Sequence, residues 1–68
     1  MKIILNNRET QIDRCDELTI TELLKRVKYT FPNIVVKVNR QLVRKDHWST
    51  VTVRDGDRVD AIHMIGGG

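Results

Sequence analysis

Thr19-Ile20-Thr21-Glu22-Leu23-Leu24-Lys25-Arg26-Val27 differs in apolar period from the rest of this 68-residue chain. Ile20, Leu23, Leu24 and Val27 recur at i, i+3, i+4 and i+7, which is one stripe of an amphipathic helix. Thr19 followed three residues later by Glu22 fits a capping box, with the hydroxyl accepting from the Glu22 N–H and the carboxylate reaching back. Lys25, Arg26 and Lys28 fall toward the C-terminal end, where positive charge suits the helix dipole. Pro32 cannot continue the helix and biases Phe31 away from helical angles.

Outward from this helix the period is two. On the N-terminal side, residues 1–5 alternate around Ile3 and predict a strand. Asn6-Asn7 is a turn signal, because Asn tolerates positive φ, and residues 8–12 form the returning strand of a hairpin. Residues 13–18 are polar and predict a loop. On the C-terminal side, Ile34-Val35-Val36-Lys37-Val38 is the strongest strand in the chain. Asn39-Arg40 turns it into the short strand Gln41-Leu42-Val43. Residues 44–50 are polar around Trp48 and predict a loop or short helical turn, and Val51-Thr52-Val53 is a brief extended piece. Arg54-Asp55-Gly56-Asp57 is a turn, with Gly56 supplying positive φ, and residues 59–65 form the last strand. The expected fold class is α+β: a mixed sheet of four to five strands packed on one main helix, with the first and last strands side by side at its centre, which is a β-grasp. Residues 1–65 are read as one domain and residues 66–68 as a flexible glycine tail.

The length allows one domain and leaves no room for a large active site enclosed by the chain alone. Hydrophobic residues at 40% exclude a disordered chain, and no apolar run reaches the roughly 18 residues of a membrane helix. The start, Met1-Lys2-Ile3-Ile4-Leu5-Asn6, turns polar too soon for a signal peptide. A single cysteine, Cys15, excludes an internal disulfide framework and makes a reducing, cytoplasmic setting the expectation. One Cys and two scattered His do not make a zinc site, so no metal is expected. Twelve basic against nine acidic residues give a net charge of +3, in the range of an ordinary solvated surface. Arg40, Arg44 and Lys45 do cluster, but the aromatics are only Tyr29, Phe31 and Trp48, so neither nucleic acid nor membrane is expected as a partner.

The end of the chain bears the chemistry. Gly66-Gly67-Gly68 directly follow the last predicted strand. Glycine is thin and adopts most backbone angles, so such a segment threads channels that exclude other residues. Gly68 presents a carboxylate with no β-carbon to hinder attack, as suits a C-terminus that is another enzyme's substrate; the plain alternative is a frayed end. Strand alternation adds a surface. With Val59 and Ala61 facing the helix, Ile62 and Met64 face the other side; Ile4 lies opposite core Ile3 and Leu5, and Val35 opposite core Val36 and Val38. Ile4, Val35, Ile62 and Met64 are thus expected to form an exposed apolar patch leading to the tail. Other chemistry-bearing residues read as ordinary: Cys15 as a small packing residue, His47 and His63 as surface or structural groups, Trp48 as a cap on the core edge, Asp55 and Asp57 as turn residues.

Along essentially its whole length the chain resembles the ThiS family, small ubiquitin-like sulfur carriers of thiamine thiazole biosynthesis. The likeness rests on the first strand with Asn6-Asn7, the helix from Thr19 to Val27, Val38-Asn39, and Val43-Arg44-Lys45-Asp46-His47-Trp48. Asp55-Gly56-Asp57, the final strand and Gly67-Gly68 complete it. The Gly-Gly end and the Asp-Gly-Asp turn are shared with MoaD-type carriers, whereas the short length and the Trp48 segment favour ThiS; Gly66 stands where many members have another small residue. The resemblance implies that the protein is a substrate rather than an enzyme, with no bound cofactor. A ThiF-like adenylating enzyme would use ATP to activate the Gly68 carboxylate. Sulfur from a persulfide donor enzyme would then convert it to a thiocarboxylate, and a ThiG-like thiazole synthase would take that sulfur. The alternatives are a MoaD-like carrier for molybdopterin or another pathway, and a TGS-like β-grasp module binding RNA or protein.

Overall fold

The two-residue turns set the sheet. In the computed structural model, which describes residues 1–30 and 33–64, Asn6 and Asn7 adopt φ of 50° and 67° and join β1 (Lys2–Leu5) to β2 (Arg8–Gln11). Asn39 and Arg40, at 49° and 71°, join β4 (Ile34–Val38) to β5 (Gln41–Val43). Positive φ at both central residues matches the twist of the flanking strands, so both hairpins close tightly. The last strand, here β7 (Arg58–His63) in the numbering that includes the two short strands below, pairs parallel with β1 and antiparallel with β4. The five-stranded sheet runs β2-β1-β7-β4-β5, so the first and last strands lie side by side near its centre.

Helix α1 (Ile20–Arg26) crosses one face of this sheet, as the apolar stripe predicts. Its capping box is complete: the Glu22 N–H donates to Thr19 Oγ1 at 3.1 Å and the Thr19 N–H donates to Glu22 Oε1 at 3.0 Å. Ile20, Leu23 and Leu24 join Ile3, Leu5, Val36, Val59 and Ala61 in one buried cluster. Full burial is worth roughly 1.5–3 kcal/mol per large aliphatic side chain, so this layer is the main source of cohesion.

Residues 13–18 are not wholly a loop. Glu17–Thr19 forms β3, which pairs antiparallel with β6 (Thr52–Arg54) in a separate two-stranded sheet. The main sheet thus has five strands, as expected, and the β3–β6 ribbon is an addition to it. Three-residue strands leave almost no alternation to read, and this pair joins segments more than thirty residues apart. The ribbon buries Leu18 and Val53 beside the helix and closes one side of the core. Lys45–His47 is a single 3₁₀ turn, as the polar segment around Trp48 allowed. The helix-ending role predicted for Pro32 and the flexibility predicted for residues 66–68 fall outside the described residues.

Candidate functional site

Strand β7 leads toward the glycine end, and its two faces differ. Val59 and Ala61 are buried under α1, while Ile62 is 49% exposed on the opposite face. Met64 follows, 52% exposed, with its backbone N–H donating to the Asn33 carbonyl at 2.7 Å. That bond extends the β4–β7 ladder one step past the strand toward the tail.

The register shows which residues of the expected patch meet. Val35 pairs directly with Ile62, so these two and Met64 share one end of the outer face. Ile4 also lies on the outer face, but it pairs with Arg58. Four residue steps along β7 take that position to Ile62, about 13 Å at strand rise. Between them Arg58 Nε and the Asp60 carboxylate form an ion pair at 3.7 Å, so a polar band divides Ile4 from the other three. Gly66, Gly67 and Gly68 lie outside the described residues.

Leu42 is an apolar surface residue absent from the expected patch. It pairs with Lys37, which puts it on the face of Val35, and it is 63% exposed. Counting alternation across the two-residue Asn39-Arg40 turn places it there: Val38 meets Gln41, so Lys37 meets Leu42.

Hydrogen bonds fix β7 from both ends. The Asn6 side chain accepts from the Ala61 N–H at 2.8 Å and donates to the Ala61 carbonyl at 3.0 Å. Asn39 Oδ1 accepts from the Arg58 N–H at 3.0 Å, and its Nδ2 donates to Asp57 Oδ1 at 3.2 Å. The Asp55 carboxylate accepts from the Lys2 N–H at 2.6 Å and ties the turn to β1, while Asp57 Oδ2 accepts from the Arg54 N–H at 2.8 Å within the turn. Gly56 in that turn has φ +86°, the angle for which glycine is suited. Trp48 is half-buried against the core and donates its indole N–H to the Val43 carbonyl at 3.1 Å. Cys15 packs partly buried against the same core, and His47 and His63 are exposed.

The arrangement offers an apolar outer face beside the route to the tail, and no cluster of three or more potential metal ligands among the described residues.

The sequence model of the ThiS family matches residues 3–68, including the glycine end. The chain is 28% identical to the sulfur carrier protein ThiS of Escherichia coli K12, with both chains covered in full. It is 29% identical to a thiazole synthase of Paramagnetospirillum magneticum, of which it spans only 20%. The crystal structure of ThiS from Geobacter metallireducens matches it with a TM-score of 0.91 at 29% identity, with both chains covered completely. An NMR structure of a thiamine biosynthesis protein from the same organism gives 0.81 at 29% identity, covering all of this chain and 88% of the other. With its β-grasp order, central β1–β7 pair and family match over nearly every residue, the chain belongs to the ThiS family of ubiquitin-like sulfur carriers.

Proposed function

We propose that this protein carries sulfur for thiamine biosynthesis on the carboxyl group of Gly68. The single observation that supports this most is the ThiS match running through residue 68, on a chain whose β7 directs an exposed apolar face toward that end.

A carboxylate is a poor electrophile because its leaving group is oxide. Adenylation by a ThiF-like enzyme with ATP joins the Gly68 carboxylate to AMP and releases pyrophosphate, which supplies a good leaving group. The terminal sulfur of a donor enzyme's persulfide attacks the carbonyl and AMP departs. A second thiol then attacks the donor-side sulfur of the resulting acyl disulfide; that S–S bond breaks, the thiocarboxylate leaves, and a new disulfide remains between the donor cysteine and the attacking thiol. A ThiG-like thiazole synthase is the acceptor. The match within a relative named thiazole synthase supports that choice, since a carrier segment and a synthase in one polypeptide share a high effective concentration. In this reading the protein is a substrate, and the catalytic groups belong to its partners. Val35, Ile62 and Met64 serve as the face that partners grip, and Gly66 and Gly67 as the thin segment that reaches the active site.

The test is the intact mass of the full chain before and after incubation with ATP, a ThiF-like enzyme and a sulfur donor. A gain equal to sulfur replacing one oxygen, confined to the C-terminal peptide, is expected. A chain ending at Gly66 should show the same melting temperature and no gain; sulfur transfer by that shortened chain would overturn the assignment.

A further inference from the structure

The net charge of this protein is concentrated in one place. Between residues 37 and 48 lie four of its 12 basic residues, Lys37, Arg40, Arg44 and Lys45, and one of its nine acids, Asp46. The remaining sequence holds eight of each sign, so this segment accounts for the whole charge of +3. An ordinary solvated surface interleaves the signs.

The fold gathers these residues around an exposed apolar side chain. Lys37 sits opposite Leu42 in the β4–β5 ladder, Arg40 occupies the hairpin turn, and Arg44 and Lys45 follow the end of β5. Arg44 is 77% exposed and forms an ion pair with exposed Asp46 at 3.7 Å, so the surplus positive charge of the segment rests on Lys37, Arg40 and Lys45. Among the described residues no acid lies within ion-pair distance of Lys37, Arg40 or Lys45; Asp60, across from Lys37, pairs with Arg58. Leu42, Val43 and Arg44 also line an open groove of about 440 Å³ on this edge.

We propose that the β4–β5 hairpin is a docking surface for an acidic protein surface that covers Leu42, with Lys37, Arg40, Arg44 and Lys45 forming its basic rim. This rests on the proposed carrier role only in taking the partners to be proteins, and it names the chemistry of the face they present. Apolar centre with charged rim is the anatomy of a protein interface. RNA fits less well, because it needs an open stacking platform, and Trp48 is half-buried with its indole N–H bound to Val43.

The experiment measures association of the full chain with a ThiF-like adenylating enzyme and with a ThiG-like thiazole synthase from the same organism, at low and high salt. One variant combines Arg40→Glu, Arg44→Glu and Lys45→Glu; a control combines Arg8→Glu, Arg14→Glu and Lys28→Glu, which changes net charge equally. The hairpin variant should lose about tenfold or more in association rate toward at least one enzyme at low salt, with the loss shrinking as salt rises, and the control should stay within about twofold. Leu42→Ser should speed dissociation. If the reversals fail to fold, the corresponding Gln variants should show the same ranking to a smaller degree. Equal losses in hairpin variant and control, no loss in the hairpin variant, no binding of the native protein to either enzyme, or tighter binding to a U-rich RNA oligomer would each overturn the proposal. Intact mass is read in parallel: salt-dependent binding without mass gain would defeat the sulfur chemistry and leave the docking surface standing, whereas mass gain unaffected by the hairpin variant would do the reverse.

Discussion

Asn6 shows how much one side chain can add to what the sequence suggests. Its residue type announces a turn, yet its amide also bonds both backbone groups of Ala61, tying β1 to the strand that leads to the tail. Asn6→Ala would leave those groups without their partner and should destabilise the protein by about 1–3 kcal/mol, measured by urea unfolding. Asn6→Asp should rank between them, since it keeps the acceptor for the Ala61 N–H and loses the donor. Glu22 makes a pH-dependent contribution. The Thr19 backbone N–H, then the Thr19 hydroxyl, hold its pKa below the usual glutamate value, with a small further lowering by Lys25 and an opposing effect of desolvation. A depressed folded pKa contributes stability above the unfolded value and loses it as pH falls through the folded value. The melting temperature of the native protein should therefore exceed that of Glu22→Gln near neutral pH. The difference should close as pH drops from the ordinary glutamate range through the lowered folded value; a constant difference down to strongly acid pH would contradict the assignment.

At the scale of elements, the two hairpin turns and the helix cap were readable because each depends on a few neighbouring residues. Asn-Asn tolerates positive φ, and Thr19 with Glu22 closes on itself within one turn of helix. Arg40 is the less suited member, since a side chain at φ 71° is strained where glycine is not. Arg40→Gly completes an Asn-Gly type I′ turn and should raise stability by up to about 1 kcal/mol in thermal unfolding. Of the β3–β6 ribbon only the extended piece at β6 was readable; Glu17–Thr19 lies in a polar segment, and its pairing with β6 is non-local. Leu42 belongs with it: as part of a three-residue strand it has no face of its own until the turn fixes its partner as Lys37.

At the scale of the whole molecule, one face of the sheet carries the core and the other, in the proposed function, is the face that partners hold. Ile62 contributes to the second. Ile62→Ser should change unfolding free energy by less than about 1 kcal/mol, because the side chain is half exposed, yet weaken association with the adenylating enzyme severalfold. A large loss of stability with unchanged association would place Ile62 in the core economy of the fold instead. The expected patch was legible in part: alternation put Ile4, Val35, Ile62 and Met64 on one face. Distance along the sheet was not legible, and it separates Ile4 behind the Arg58–Asp60 pair.

The sequence by itself determined the helix with its cap, the order of the main strands, which residues face the core, and the likeness to ThiS carriers that covers the glycine end. These follow from short-range periodicity and turn chemistry, which a linear reading contains. Only the tertiary structure decided the β1–β7 and β3–β6 pairings in register, the grouping of Val35 with Ile62 and Met64, and the place of Leu42 within the basic hairpin. Those depend on which distant backbone groups bond to one another, and a strand's own residues leave that open until its neighbours are in place.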